Sequence, residues 1–188
     1  MTGKIAYQGE PGANSHIACN EAYPDLEPMP CRTFEDCFAA VEREDADLAM
    51  IPVENTIAGR VGDIHYLLPN TELQIVAEYY LPIRFQLMAL KGTRLDEVKK
   101  ARSHIMGLGQ CRNFRRAHNI DSVTSADTAG AAREVAELGD PSVAAIAPRL
   151  AADVYGLEIL AEDIEDAAHN TTRFIIMSKE HSEVEAKD

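Results

Sequence analysis

The chain has 188 residues, 46% of them hydrophobic, and its 31 acidic against 18 basic residues give a formal net charge of -13. That length holds one domain or two small lobes with a real core, and the charge argues against nucleic acid or an anionic membrane as partner, since both need a basic face. A carboxylate-bearing ligand would have to rely on local arginines or backbone N–H groups, with long-range repulsion screened beyond roughly 8 Å.

In chain order, Lys4 to Tyr7 reads as a short strand, followed by a two-glycine loop from Gln8 to Ser15. Asn14 or Ser15 can cap a helix that Pro24 ends near Tyr23. Thr33-Phe34-Glu35-Asp36 has the form of a capping box, and Phe34, Cys37, Phe38 and Val41 make a helical stripe behind it. Asp47 to Val53 is a buried strand, Glu54 to Arg60 a polar loop, and Val61, Ile64, Leu67 and Leu68 one face of a further helix. From Leu73 to Leu90 the odd positions are apolar without a break, a period of two. Pro82 interrupts that stretch and marks an edge or a bend between two sheets, where the chain crosses into a second lobe. Beyond it a short strand at Ala101 to Ile105, a helix from Gly107 to about His118, a strand at Ile120 to Thr124, and a helix capped by Asp127 and ended by Gly139 follow. A strand at Ser142 to Ala147, a helix to about Tyr155 and a last strand at Arg173 to Met177 complete the pattern, leaving Lys179 to Asp188 as a polar tail. Strands alternating with helices predict an α/β fold with mostly parallel sheets. The predicted lobes are residues 1–80 with 174–188, and residues 81–173.

No apolar run is long enough to span a bilayer, and the first residues lack the basic-then-apolar plan of a signal peptide, so the expected location is the cytoplasm. Cys19, Cys31, Cys37 and Cys111 form no CxxC pair, and no histidine stands at a zinc-finger interval. They read as small buried residues of a reducing compartment, and no metal site is expected.

Four polar segments stand at strand ends: Glu10 to Ser15, Glu54-Asn55-Thr56, Ser103-His104 and Asn170-Thr171-Thr172-Arg173. In open α/β sheets ligands bind beyond the carboxyl ends of strands, often between halves. The guanidinium of Arg173 can grip a carboxylate in two prongs, and the neighbouring Thr172 can donate a hydrogen bond or a proton. Each segment also has an ordinary reading: Glu54 as a surface acid, His104 as a buried hydrogen-bonded histidine, and Asn55 and Asn170 as turn residues. No phosphate loop, Rossmann fingerprint or Gly-x-Ser-x-Gly elbow is present.

Over nearly its whole length the chain resembles the catalytic domain of prephenate dehydratases. The matching residues are Tyr7-Gln8-Gly9-Glu10-Pro11-Gly12-Ala13 with Ser15-His16, Ile51-Pro52-Val53-Glu54-Asn55-Thr56 with Gly59 and Val61, Ser103-His104, Gln110-Cys111, Tyr155-Gly156-Leu157, and Asn170 with Thr172-Arg173-Phe174. The resemblance implies two α/β lobes of the type II periplasmic binding protein kind, with the active site in the cleft between them. It implies conversion of prephenate to phenylpyruvate, carbon dioxide and water in phenylalanine biosynthesis, without a cofactor because aromatisation drives the reaction. An arogenate dehydratase, or a two-lobed receptor that binds a small carboxylate without chemistry, would share the same outline. Carried over by position, Thr172 is the proton donor, Glu54 and Asn55 belong with it in the catalytic group, and Arg173 is the carboxylate clamp. Ser103, Gln110, Asn170, Thr56 and Ser15 line the substrate, with Glu54 orienting Asn55 or Arg173 rather than touching a substrate carboxylate.

The sequence departs from the family where Ile105-Met106 replaces a usual Pro-Gln and Pro148 a usual small serine. Many members continue into a phenylalanine-sensing ACT domain; this chain stops at Asp188, where that domain would begin, so the resemblance is to a catalytic domain alone. The family is often dimeric, and the alternating Leu73 to Leu90 stretch offers a strand for such pairing.

Overall fold

The structure, a computed structural model, describes residues 3–179, so the expected polar tail from residue 180 onward lies outside the described residues. In chain order the elements are β1 (Lys4–Gln8), α1 (Asn14–Ala22), β2 (Glu27–Cys31), α2 (Phe34–Glu42), β3 (Leu48–Asn55), β4 (Gly59–Arg60), α3 (Gly62–Leu67) and β5 (Gln74–Pro82). There follow β6 (Gln86–Ala89), β7 (Lys100–Ser103), α4 (Ile105–Gln110), α5 (Arg112–Ala117), β8 (Asp121–Thr124), α6 (Thr128–Leu138), β9 (Val143–Ala147), α7 (Arg149–Tyr155), β10 (Glu158–Ala161) and β11 (Thr171–Ser178). They form two compact α/β units. One takes the chain up to Gly9, Ser15–Pro82 and the chain from Thr171; the other takes Glu10–Asn14 and Ile83–Asn170.

The first unit is a sheet in the order β2-β1-β3-β11-β5, with β4 added to β3. The β2-β1-β3 run is parallel, and β11 lies antiparallel between β3 and β5. Phe174 to Met177 on β11 are all buried, as expected of a central strand covered on both faces. On one face Ile175 and Met177 join Phe38, Val41, Ile51 and Ile64 in a single cluster under α2 and α3. The opposite face receives α1, where the Tyr79 hydroxyl donates to Glu21 on that helix at 2.5 Å. α2 starts as predicted: the Thr33 hydroxyl accepts from Asp36 N–H at 3.1 Å, and the Asp36 carboxylate answers the Thr33 N–H at 3.3 Å. Pro82 closes β5, which is an edge strand, so the missing N–H costs no ladder bond.

One strand of this unit goes unread in the sequence, and one loop differs from expectation. β2 is a strand despite Pro28 and Pro30, because it is an edge strand paired only to β1. Glu27 N–H donates to Gly3 O at 2.9 Å, so with a period of two the prolines fall at outward positions that need no donor. The expected loop from Glu54 to Arg60 is a hairpin, with Glu54 opposite Arg60 and Asn55 opposite Gly59.

The second unit is a five-stranded sheet, β10-β6-β9-β7-β8, with β9-β7-β8 parallel and β6 antiparallel to both its neighbours. All of β9 is buried, and its small side chains let α6 pack closely through Ala129, Ala131 and Ala132. α6 begins at the Asp127 cap and ends at Gly139, whose φ of 67° a residue with a Cβ would resist. Ile105 opens α4 rather than closing β7, because the His104 ring accepts from Met106 N–H at 3.3 Å and caps the turn. The helix expected from Gly107 to His118 is two helices broken at Cys111. There the Asp166 carboxylate takes the N–H groups of Arg112 and Asn113, both at 3.1 Å. The loop Glu10–Asn14 is held by the Tyr155 hydroxyl, which donates to Pro11 O at 2.9 Å, and by Gly12 lying against Ala151.

Candidate active site

In the first unit the Glu54-Asn55-Thr56 segment and the start of β11 run side by side. Thr172 stands opposite Asn55 on β3 and Leu81 on β5; Arg173 stands opposite Glu54 and Tyr80. Directly opposed residues share a face of the sheet, and successive residues alternate between faces. Thr172, Asn55 and Leu81 therefore share the α1 face, while Arg173, Glu54 and Tyr80 share the α2/α3 face. Thr172 and Arg173, adjacent in sequence and expected to work together, are turned apart by the pleat.

Asn55 is fixed by its own hairpin. Its Oδ1 accepts from Ile57 N–H at 2.9 Å and Ala58 N–H at 2.8 Å, so its Nδ2 must be the atom facing β11. That nitrogen donates to Thr172 Oγ1 at 3.0 Å and to Thr171 O at 3.2 Å. A hydroxyl that accepts from an amide keeps its proton to donate elsewhere. Thr56 and Thr171 tie the segments again, with Thr56 N–H to Thr171 O and Thr171 N–H to Thr56 Oγ1, both at 3.0 Å. Ser15 is buried in the first turn of α1, on the Thr172 side of the sheet. The adjacent His16 ring stacks on Tyr7 with centroids 5.2 Å apart, and burial lowers its pKa.

Arg173 is engaged with Glu78 on β5. Its Nε donates to Glu78 Oε2 at 3.3 Å, and one terminal nitrogen bonds Glu78 Oε1. The Tyr80 hydroxyl donates to the same carboxylate at 3.0 Å. Arg173 first and Tyr80 second hold the Glu78 carboxyl below its ordinary range, and Glu78 raises the pKa of both partners. Nothing in the sequence singles out Glu78; its role depends on the sheet register.

In the second unit the structure brings Gln110 and Asn170 together. Asn170 is buried and donates from Nδ2 to Gln110 Oε1 at 2.6 Å, while its carbonyl accepts from Ile83 N–H at 2.8 Å. Asp166, which the sequence does not mark, fixes this pair's surroundings: its N–H donates to Gln110 O at 2.6 Å, besides capping α5. Ser103 has a different setting. It is fully buried and its hydroxyl donates to Ile146 O on β9 at 2.6 Å. The same oxygen sits 2.7 Å from where a Cβ on Gly107 would be. Ser103→Ala is therefore expected to lower stability by about 1–2 kcal/mol in thermal unfolding, through an unanswered buried carbonyl, and to leave the KM for the substrate that the family resemblance implies near its wild-type value. A large rise in KM with unchanged stability would return Ser103 to the substrate. Ile105 and Met106 lie exposed in the first turn of α4.

Fold and site together define a two-unit α/β protein in which a Glu-Asn-Thr hairpin anchors a Thr-Arg-Phe strand. The chain belongs to the prephenate dehydratase family, whose sequence model matches residues 5–182. It is 44% identical over 175 residues to a bifunctional N-acyl-homoserine lactone acylase/prephenate dehydratase of Komagataeibacter europaeus, covering 93% of this chain and 62% of the relative. It is 40% identical over 177 residues to arogenate dehydratase/prephenate dehydratase 1, chloroplastic, of Arabidopsis thaliana, covering 94% and 45%. Among solved structures, the prephenate dehydratase of Arthrobacter aurescens in complex with L-Phe superposes with a TM-score of 0.90 at 32% identity, over 98% of this chain and 63% of that one. The chain thus spans less than two-thirds of the length of each of these proteins. No helix among the described residues is long and apolar enough to cross a membrane.

Proposed function

We propose that the chain catalyses the decarboxylating dehydration of prephenate to phenylpyruvate, with Thr172 as the proton donor. The observation that carries this reading is the Asn55 Nδ2 to Thr172 Oγ1 hydrogen bond of 3.0 Å, within a chain of this family. The amide spends one acceptor site of the threonine and leaves its O–H proton to be delivered.

Two bonds break in the substrate. The pair from the ring-carbon to carboxylate bond enters the ring and releases carbon dioxide. The pair of the carbon–hydroxyl bond leaves with oxygen, which takes a proton from Thr172 Oγ and departs as water. Prephenate dianion and one proton give phenylpyruvate, carbon dioxide and water, so the hydroxyl is reprotonated from solvent. Threonine is a weak acid, but the gain of aromaticity weakens the carbon–oxygen bond ahead of transfer, and only part of a proton need move in the transition state. A positioned donor of this kind contributes typically about 10²–10⁴-fold.

Asn55 is the residue that orients the donor, and Thr56 holds its strand. Gln110 and Asn170 offer amides to the substrate's polar groups, and Ser15 a hydroxyl. A cytoplasmic location is supported by the four cysteines, all buried and unpaired.

The test is direct. Incubated with prephenate at neutral pH, the protein is expected to produce phenylpyruvate, followed by its ultraviolet absorbance, well above the spontaneous rate. A rate equal to the buffer control removes the enzyme reading. Relatives named as arogenate dehydratases, such as arogenate dehydratase 3 of Arabidopsis thaliana at 42% identity over 179 residues, make arogenate the second substrate to measure. The larger kcat/KM of the two assigns the activity.

A further inference from the structure

We propose that Arg173 serves this reaction through Glu78, as a positioning residue for Thr172, rather than by holding a substrate carboxylate. The inference rests on the prephenate dehydratase reading and changes the part that Arg173 plays in it.

The first ground is direction. The backbone register puts Arg173 on the α2/α3 face with Glu54 and Tyr80, away from the Thr172 hydroxyl. That face offers a dianion no net attraction: Arg173 and Arg60 are matched there by Glu54 and Glu78, with Arg60 opposite Glu54 in the β3–β4 hairpin.

The second ground is occupancy. Glu78 takes Nε and one terminal nitrogen of the guanidinium, a fork-to-fork arrangement, and is itself held by the Tyr80 hydroxyl.

The third ground is what the strand needs at this point. The β11–β3 ladder shifts register between Arg173 and Phe174, immediately after Thr172, where β3 carries an extra residue. Such a bulge disrupts pairing locally and leaves the strand's course to other restraints. On its other side β11 pairs with β5 in unbroken register from Thr171 to Ile176. The Arg173–Glu78 pair is a diagonal tie across that regular ladder, since the residue directly opposite Arg173 is Tyr80. It fixes β11 to β5 one residue from Thr172, while Asn55 fixes Thr172 from the other face.

The experiment is a double-mutant cycle on prephenate turnover with Arg173→Gln, Glu78→Gln and the pair, each checked for an intact thermal transition. If the tie positions Thr172, each single variant lowers kcat by about tenfold with KM within roughly twofold of wild type, and the double variant is no worse than either single. Arg173→Lys, which keeps the charge but loses the fork, follows the same pattern. The proposal is overturned if Arg173→Gln or Arg173→Lys acts mainly by raising KM while Glu78→Gln leaves both constants unchanged. It is equally overturned if the two single effects multiply in the double variant. An inactive wild-type protein would instead remove the underlying dehydratase reading, so the two failures are distinguishable.

Discussion

Thr172→Val is expected to lower kcat for prephenate by about 10²–10⁴-fold while the protein stays folded. Valine keeps the β-branched shape that a strand accepts, so β11 should keep its register to Asn55 and Leu81. What disappears is the only atom at that position able to donate a proton. The substitution also strips Asn55 Nδ2 of the Thr172 acceptor while the bond to Thr171 O stays; the cost in stability is of order 1 kcal/mol. Thr172→Ser restores an Oγ at the same branch point and should recover most of the lost rate, because the donor and its amide partner are both present again. The measurement is steady-state turnover of the three proteins, with their thermal transitions as a control. Full turnover by the valine variant would show that the proton comes from elsewhere, and a valine variant that only raises KM would make Thr172 a binding residue.

The parts of this fold that could be read from sequence are those whose cause is local. The Thr33–Asp36 capping box needs only four consecutive residues, and the Gly139 helix end needs one residue free of a Cβ. The buried run Phe174 to Met177 announces a central strand by composition alone. Where the cause is a partner distant in sequence, the local signal fails or misleads. Pro28 and Pro30 argue against a strand until β2 is known to have one neighbour. The helical pattern after Gly107 continues through Cys111, and only Asp166, far along the chain, takes the freed N–H groups that let the helix break there.

The site shows the same division. Glu54-Asn55-Thr56 and Thr172-Arg173 stand out in sequence as polar residues against apolar strands, and the structure sets the two segments side by side. Adjacency then suggests that Thr172 and Arg173 act on one ligand, although a strand sends neighbours to opposite faces. Ser103 stands out equally, but the β9 carbonyl of Ile146 claims its hydroxyl. Glu78 does not stand out at all, being one exposed acid in an edge strand, yet it decides where the guanidinium goes.

Gly12→Ala is expected to destabilise the protein by about 2–6 kcal/mol. Two costs combine. Gly12 has φ of 91°, a conformation that a residue with a Cβ avoids at roughly 1–3 kcal/mol. The added methyl would also stand 2.7 Å from Ala151 Cα and 3.1 Å from Ala151 N on α7. Both are backbone atoms, so no side-chain rotation relieves the clash, and overpacking of this kind costs about 1–3 kcal/mol. For a chain of this size the melting temperature should fall by about 4–24 °C. Gly92→Ala supplies the control: its φ is 82°, but nothing lies within 4 Å of the added Cβ, so it incurs the conformational cost alone. The difference between the two variants measures how tightly the Glu10–Asn14 loop is pressed onto α7. Equal melting temperatures would mean that the loop lifts off Ala151 at little cost, and that Tyr155 and Arg133, which bond Pro11 and Glu10, do not hold it in place. Ala151→Gly in the Gly12→Ala background should restore only part of the loss, because the contact at 2.7 Å is to the Cα that glycine keeps.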